Sequence, residues 1–233
     1  MPLPTSKTLP KSQLEEQTIL IYGAPKIGKS TLASQFDYPL FLATEAGLNS
    51  LEVYQVPIPT WDEFLTTCKE IAAGKHDFKT IIVDTVDMLF KACSEYVRKK
   101  NGIQHESDLE WGKGWTLVKD EFQRALVKLS LLPYGLVMIS HADTVEIKTR
   151  TARINKSVPT LQKSAREIVL GMSDIILFVD SVVTDEGEIR IMRTKPSENW
   201  EAGDRTGKLP PELPLNYKAF HEAFTGKIKK EEA

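Results

Sequence analysis

The sequence predicts an α/β fold: a mostly parallel central sheet, helices on both faces and a C-terminal β-hairpin. Three observations predict it. Short, wholly apolar runs alternate with stretches of helical periodicity, as strands buried on both faces require. A turn fitting G-x-x-x-x-G-K-[ST], Gly23 to Ser30, separates the first apolar run from the first helical one. The chain has 233 residues, 41% of them apolar, enough for one such core, and no linker divides it.

Residues 1–16 carry Pro2, Pro4 and Pro10 among polar residues and read as a flexible arm. The core is expected over 17–215. Thr18–Tyr22 reads as the first strand, and Lys29–Gln35 as the helix after the turn. Leu40–Thr44 is a second strand. A helix follows from Trp61 to Ala73, with Thr60 as its N-cap. Thr80–Asp84 is a third strand. The helix from about Val86 to Lys100 presents Met88, Leu89, Ala92 and Val97, and Asn101-Gly102 ends it. A polar stretch with Trp111 and Trp115 leads into a long helix to about Leu132, then a fourth strand, Gly135–Ser140. Residues 143–160 alternate apolar and polar around Lys148 and Arg150, which predicts a β-hairpin. A helix over 162–170 precedes the strands Asp174–Val179 and Glu188–Arg193. Residues 216–233 read as a C-terminal helix and charged tail.

Bulk properties narrow the classes of function. A net charge of −2 gives no global basic field, so any nucleic-acid surface must be local. Cys68 and Cys93 are isolated, which suits neither a disulfide framework nor a zinc site. No apolar run reaches signal-peptide or membrane-span character, so a soluble cytoplasmic protein is expected, with no membrane partner.

The turn carries the chemistry. Gly23, Ala24, Pro25, Lys26, Ile27, Gly28, Lys29, Ser30 and Thr31 form a phosphate-binding P-loop, whose glycines let backbone N–H groups close on phosphate oxygens. The helix N-terminus adds unpaired donors. Lys29 would reach the β- and γ-phosphates, and the Ser30 hydroxyl would ligate Mg²⁺. The expected ligand is therefore Mg-ATP. In parallel sheets ligands bind at the carboxyl ends of strands, so Glu45, Asp84, Ser140, His141 and Asp180 matter most. Asp84 is the candidate second ligand on the Mg²⁺ side. Thr85 follows it where many such ATPases carry a catalytic glutamate. Glu45 is therefore the candidate to orient a water, and Asp87 a weaker rival that points away. His141 is the candidate sensor of the γ-phosphate.

Two groups of cations stand out. Lys148, Arg150, Arg153 and Lys156 lie in a stretch to Arg166 that contains no acid, on the predicted hairpin. They read as a contact for a nucleic-acid backbone, or as a lid over the nucleotide. Arg193, Lys195 and Arg205 are candidates to reach a phosphate in a neighbouring subunit, or are simply surface cations. A nucleoside or small-molecule kinase, or a protein using ATP only for assembly, are the alternatives to a DNA-stimulated ATPase.

The segments 23–31, 41–47, 80–87, 137–143 and 193–210 together resemble phage-encoded, core-only ATPases of the RecA/RadA type. These are also labelled AAA-like nucleotide-binding proteins and include single-strand annealing recombinases of the Sak type. The resemblance implies a RecA-like fold and a homo-oligomer with ATP at subunit interfaces. It implies single-stranded DNA as partner, a single-strand-binding protein beside it, and a role in phage recombination, annealing or replication. It makes Glu45 the catalytic glutamate and puts the hairpin after His141 in the place of a DNA-binding loop. The F-x-x-A pattern by which RadA-type proteins polymerise occurs twice, at Phe122–Ala125 and Phe220–Ala223.

Overall fold

Ten strands and six helices lie among the residues that the structure, a computed structural model, describes: 3, 5–7, 9–148, 153–185 and 187–226. In chain order, β1 (Thr18–Gly23) leads through the P-loop to α1 (Lys29–Ala33), β2 (Pro39–Ala43) and β3 (Tyr54–Pro57). Then come α2 (Trp61–Ala72), β4 (Thr80–Asp84), α3 (Val86–Asn101) and α4 (Lys113–Ser130). The strands β5 (Gly135–Lys148) and β6 (Arg153–Pro159) precede α5 (Lys163–Met172). The chain continues with β7 (Ile175–Thr184), β8 (Gly187–Arg193), β9 (Gly203–Asp204), β10 (Glu212–Pro214) and α6 (Tyr217–Thr225).

The sheet runs β10-β8-β7-β1-β5-β4-β2-β3, with β6 on β5 and β9 on β7. From β7 to β3 every pairing is parallel, whereas β8, β10, β6 and β9 add antiparallel margins. This is the mostly parallel arrangement expected, with β7 and β8 as the C-terminal hairpin. The connection from β1 runs toward the β3 edge, and that from β5 toward β7. The order therefore reverses beside β1 and β5, and their carboxyl ends open a crevice.

Strand alternation sorts the apolar residues into two cores. Ile19, Ile21, Phe41, Ile82, Val137, Ile139 and Leu177 pack with Leu32 and Phe36 beside α1 and with Phe220 and Phe224 of α6. Leu20, Leu42, Ile81, Val83 and Met138 face the opposite side, with Trp61, Phe64, Phe90 and Phe122 of α2, α3 and α4. The parity has a chemical consequence: Asp84 and His141 share the α1 face with Ile82 and Ile139.

Local signals act as expected at several ends. Thr60 accepts from Glu63 N at 3.3 Å as the N-cap of α2. Gly102 closes α3 at φ 62°, the left-handed cap that glycine adopts without strain. Other expectations change. The 1–16 segment is docked at its end: Leu14 is buried in the α1-face core, and Tyr217 Oη donates to Glu15 Oε1 at 2.7 Å. The C-terminal α6, read as part of a separate 216–233 segment, contributes to that same core. Both F-x-x-A patterns are consumed by packing, since Phe122 and Phe220 are fully buried, so neither is free to engage another subunit. The fourth strand does not stop at Ser140: β5 leaves the sheet and continues as one arm of the hairpin to Lys148.

Candidate functional site

β1 delivers the chain to Gly23 at the crevice. A Cβ at Gly23 would lie 2.4 Å from the Val179 carbonyl oxygen, so the close approach of β1 and β7 also requires a glycine here. Gly23→Ala is expected to push the two strands apart. It should cost about 1–3 kcal/mol, a fall of several °C in thermal midpoint; an unchanged midpoint would sink this account. Gly28 is the conformational glycine, with φ 112° in the region L side chains avoid. A Cβ there would meet Leu215 Cδ2 at 3.1 Å and Arg190 Nη1 at 3.6 Å. Lys26 also takes a positive φ of 63°. Ala24, Pro25 and Lys26 are exposed, Ile27 packs on the α1-face core, and Thr31 faces outward on α1.

Lys29 is buried, and its Nζ donates to Gly23 O at 2.9 Å and Ala24 O at 2.8 Å. Burial lowers its pKa, against the pull of Asp84, Asp87 and Glu45. Ser30 Oγ donates to Asp84 Oδ2 at 2.7 Å. Burial raises the Asp84 pKa, and the Ser30 hydrogen bond opposes the rise. A hydroxyl and a carboxylate oxygen thus meet beside the P-loop. Both are hard oxygen donors suited to Mg²⁺. Among the described residues no three His, Cys, Asp or Glu side chains form a metal cluster.

Glu45 and His141 come together. They follow β2 and end the sheet portion of β5, and His141 Nε2 lies 3.4 Å from Glu45 Oε1. Two neighbours fix their place: Thr44, which the sequence reading missed, and Asp87, which it turned away from the site. Thr44 Oγ1 donates to Thr85 O at 2.8 Å and accepts from Thr85 N at 2.7 Å, tying the Glu45 loop to the end of β4. Asp87 does not point away: Oδ1 accepts from Ser140 Oγ at 2.7 Å and Oδ2 from His141 N at 2.8 Å. It clamps the end of β5, with each oxygen already engaged once.

The basic groups are redistributed. Arg150 lies outside the described residues. Lys148 pairs across the hairpin with Arg153, and both are exposed, with Arg153 reaching Glu146 at 3.4 Å. Lys156 is on the other face and binds Glu201 at 2.9 Å, so the acid-free run does not make one continuous patch. Arg193, Lys195 and Arg205 are not a cluster either. Arg193 pairs with Asp180 and Glu212, and its guanidinium lies 4.2 Å from the Trp200 ring centre. Lys195 reaches Asp204 at 3.5 Å, and Arg205 binds Asp174 at 2.8 Å. Asp174 and Asp180 stand at opposite ends of a stretch of roughly 20 Å at strand rise, so Arg193 and Arg205 are far apart, each neutralised within its own chain.

Tyr22, just before the P-loop, is fully buried. Its hydroxyl donates to Glu201 O at 2.6 Å, and Glu201 N donates back at 3.0 Å. Glu201 N also donates to Ser157 O at 3.2 Å. The strand entering the P-loop is thereby bonded to the base of the β5–β6 hairpin.

Among the described residues no helix is long and apolar enough to cross a membrane. A family model described as an AAA domain matches residues 15–206. An uncharacterized SPbeta prophage-derived protein of Bacillus subtilis (strain 168) is 31% identical over 179 residues, 74% of this chain and 53% of the relative. The chain thus spans about half the length of that curated relative. A KaiC-like protein of the archaeon Pyrococcus horikoshii superposes with a TM-score of 0.46 at 13% identity, over 77% of this chain and 79% of its own.

Proposed function

We infer that this chain, which belongs to the AAA-domain family, is a Mg²⁺-dependent ATPase whose nucleotide state governs contact with single-stranded DNA. The observation that carries the reading is the 2.7 Å junction of Ser30 and Asp84 beside Lys29, at the crevice where β1 and β5 end. Lys29 exchanges its two carbonyl partners for phosphate oxygens. Ser30 and Asp84 hold Mg²⁺, which when bound offsets the phosphate charge. Glu45 orients a water at the terminal phosphate and takes its proton as the new P–O bond forms and the β–γ bridge breaks. His141, facing Glu45, senses whether that phosphate is present. Because β5 continues without a break from His141 into the hairpin, a shift at this residue moves Lys148 and Arg153. Those two exposed cations support the DNA half of the reading. The resemblance to Sak-type annealing proteins and a prophage-derived relative favour work in phage DNA recombination, annealing or replication, with a homo-oligomer as the working unit.

The test is phosphate release from Mg-ATP with and without single-stranded DNA at low and moderate salt. Stimulation that fades with salt is expected. Reversing both Lys148 and Arg153 to Glu should weaken DNA binding and lower the slope of log K against log salt by about two. Turnover indifferent to DNA at both salts would remove the DNA half and favour a kinase with an acceptor still to be found.

A further inference from the structure

We propose that Arg190 is a phosphate-binding residue of the nucleotide site, supplied in cis by the β7–β8 hairpin. The proposal rests on the nucleotide reading above and adds a residue to it. Arg190 Nη1 lies 3.6 Å from where a Cβ of Gly28 would sit, alongside Leu215. The backbone fixes it there, because Leu215 N donates to Arg190 O at 3.1 Å.

Strand parity reaches the same placement independently. Arg190 shares a face of β8 with Met192, and Met192 is buried in the core on the α1 side of the sheet. Arg193 has the opposite parity and lies against Trp200. Only Arg190 of the two is thus turned to the face that bears the P-loop, Asp84 and His141.

Its charge is also unspent. Arg190 is exposed and forms no ion pair among the described residues, whereas Asp180 is taken by Arg193. A guanidinium held beside the P-loop and Lys29 is a second cation at a place that already carries one, an arrangement that an anion between them stabilises. The guanidinium fork matches two phosphate oxygens at once, which an ammonium does not. The ligand class is a nucleoside di- or triphosphate.

The experiment is a titration of the full chain with fluorescent ADP and ATP, with AMP and adenosine as competitors. Wild type, Arg190→Ala, Arg190→Lys and Lys29→Ala are compared, and thermal melting checks folding. Arg190→Ala should weaken ADP and ATP by about ten- to hundredfold, leave adenosine competition unchanged, and be partly restored in Arg190→Lys. ADP and ATP binding within twofold of wild type, or an equal loss for adenosine, would overturn the proposal while leaving the site itself intact. If wild type and Lys29→Ala bind equally poorly, the nucleotide reading fails first and takes this one with it.

Discussion

Lys29→Ala is expected to abolish measurable nucleotide binding. Its ammonium is a buried cation whose partners are two neutral carbonyls, Gly23 O and Ala24 O. Charged phosphate oxygens are stronger acceptors than either, so the exchange favours ligand. Losing several charge-assisted hydrogen bonds should weaken ATP and ADP by about a hundred- to a thousandfold. The folded chain without ligand should suffer little, because burial already lowers the lysine's pKa and the substitution removes a charge that folding desolvates. Two measurements therefore separate a binding role from a structural one. Wild type should gain thermal stability on adding Mg-ATP, by mass action. The variant should melt close to the ligand-free wild type and gain nothing. A variant that melts far lower would make Lys29 a structural residue. An ATP affinity within a few fold of wild type would remove it from the site.

Most of this architecture was legible because local and global signals agree. Apolar runs such as Ile81–Val83 admit no reading but a strand covered on both sides, and the P-loop sits at the strand–helix junction that its chemistry requires. What escaped had no local signature. Tyr54–Pro57 is short, proline-ended and mostly exposed; it is a strand because β2 offers it an edge. The packing constraint on Gly23 had no local signal because it comes from Val179, far away in sequence. The cations deceived for a related reason. Lys156 lies in an acid-free run yet meets Glu201, and Arg193 and Arg205 meet Asp180 and Asp174, acids remote in sequence that the fold brings to them. Arg190, by contrast, is unremarkable in sequence and becomes notable only once β8 is laid beside the P-loop. Charge runs along a chain therefore say little about charge in space where strands alternate faces.

Glu45→Gln is expected to bind Mg-ATP almost as wild type and to hydrolyse it about a hundred- to ten-thousandfold more slowly. The amide keeps the size of the carboxylate and an oxygen toward His141 Nε2, so the 3.4 Å contact and the loop held by Thr44 have no reason to move. Only the capacity to take a proton is lost. The expectation is sharp because the rival acids near the P-loop are committed. Asp87 uses both oxygens to hold Ser140 and the His141 backbone, and Asp84 is joined to Ser30. The measurement is a single-turnover assay with ATP prebound, which separates the chemical step from binding and release. His141→Ala supplies the contrast. It should slow turnover less and, if the histidine carries the signal, reduce the stimulation by DNA more than the basal rate. Undiminished hydrolysis by Glu45→Gln would remove Glu45 from the mechanism and require another group to serve the water. Negligible turnover by the wild type, with ATP still bound, would instead mean that the chain binds ATP in order to assemble.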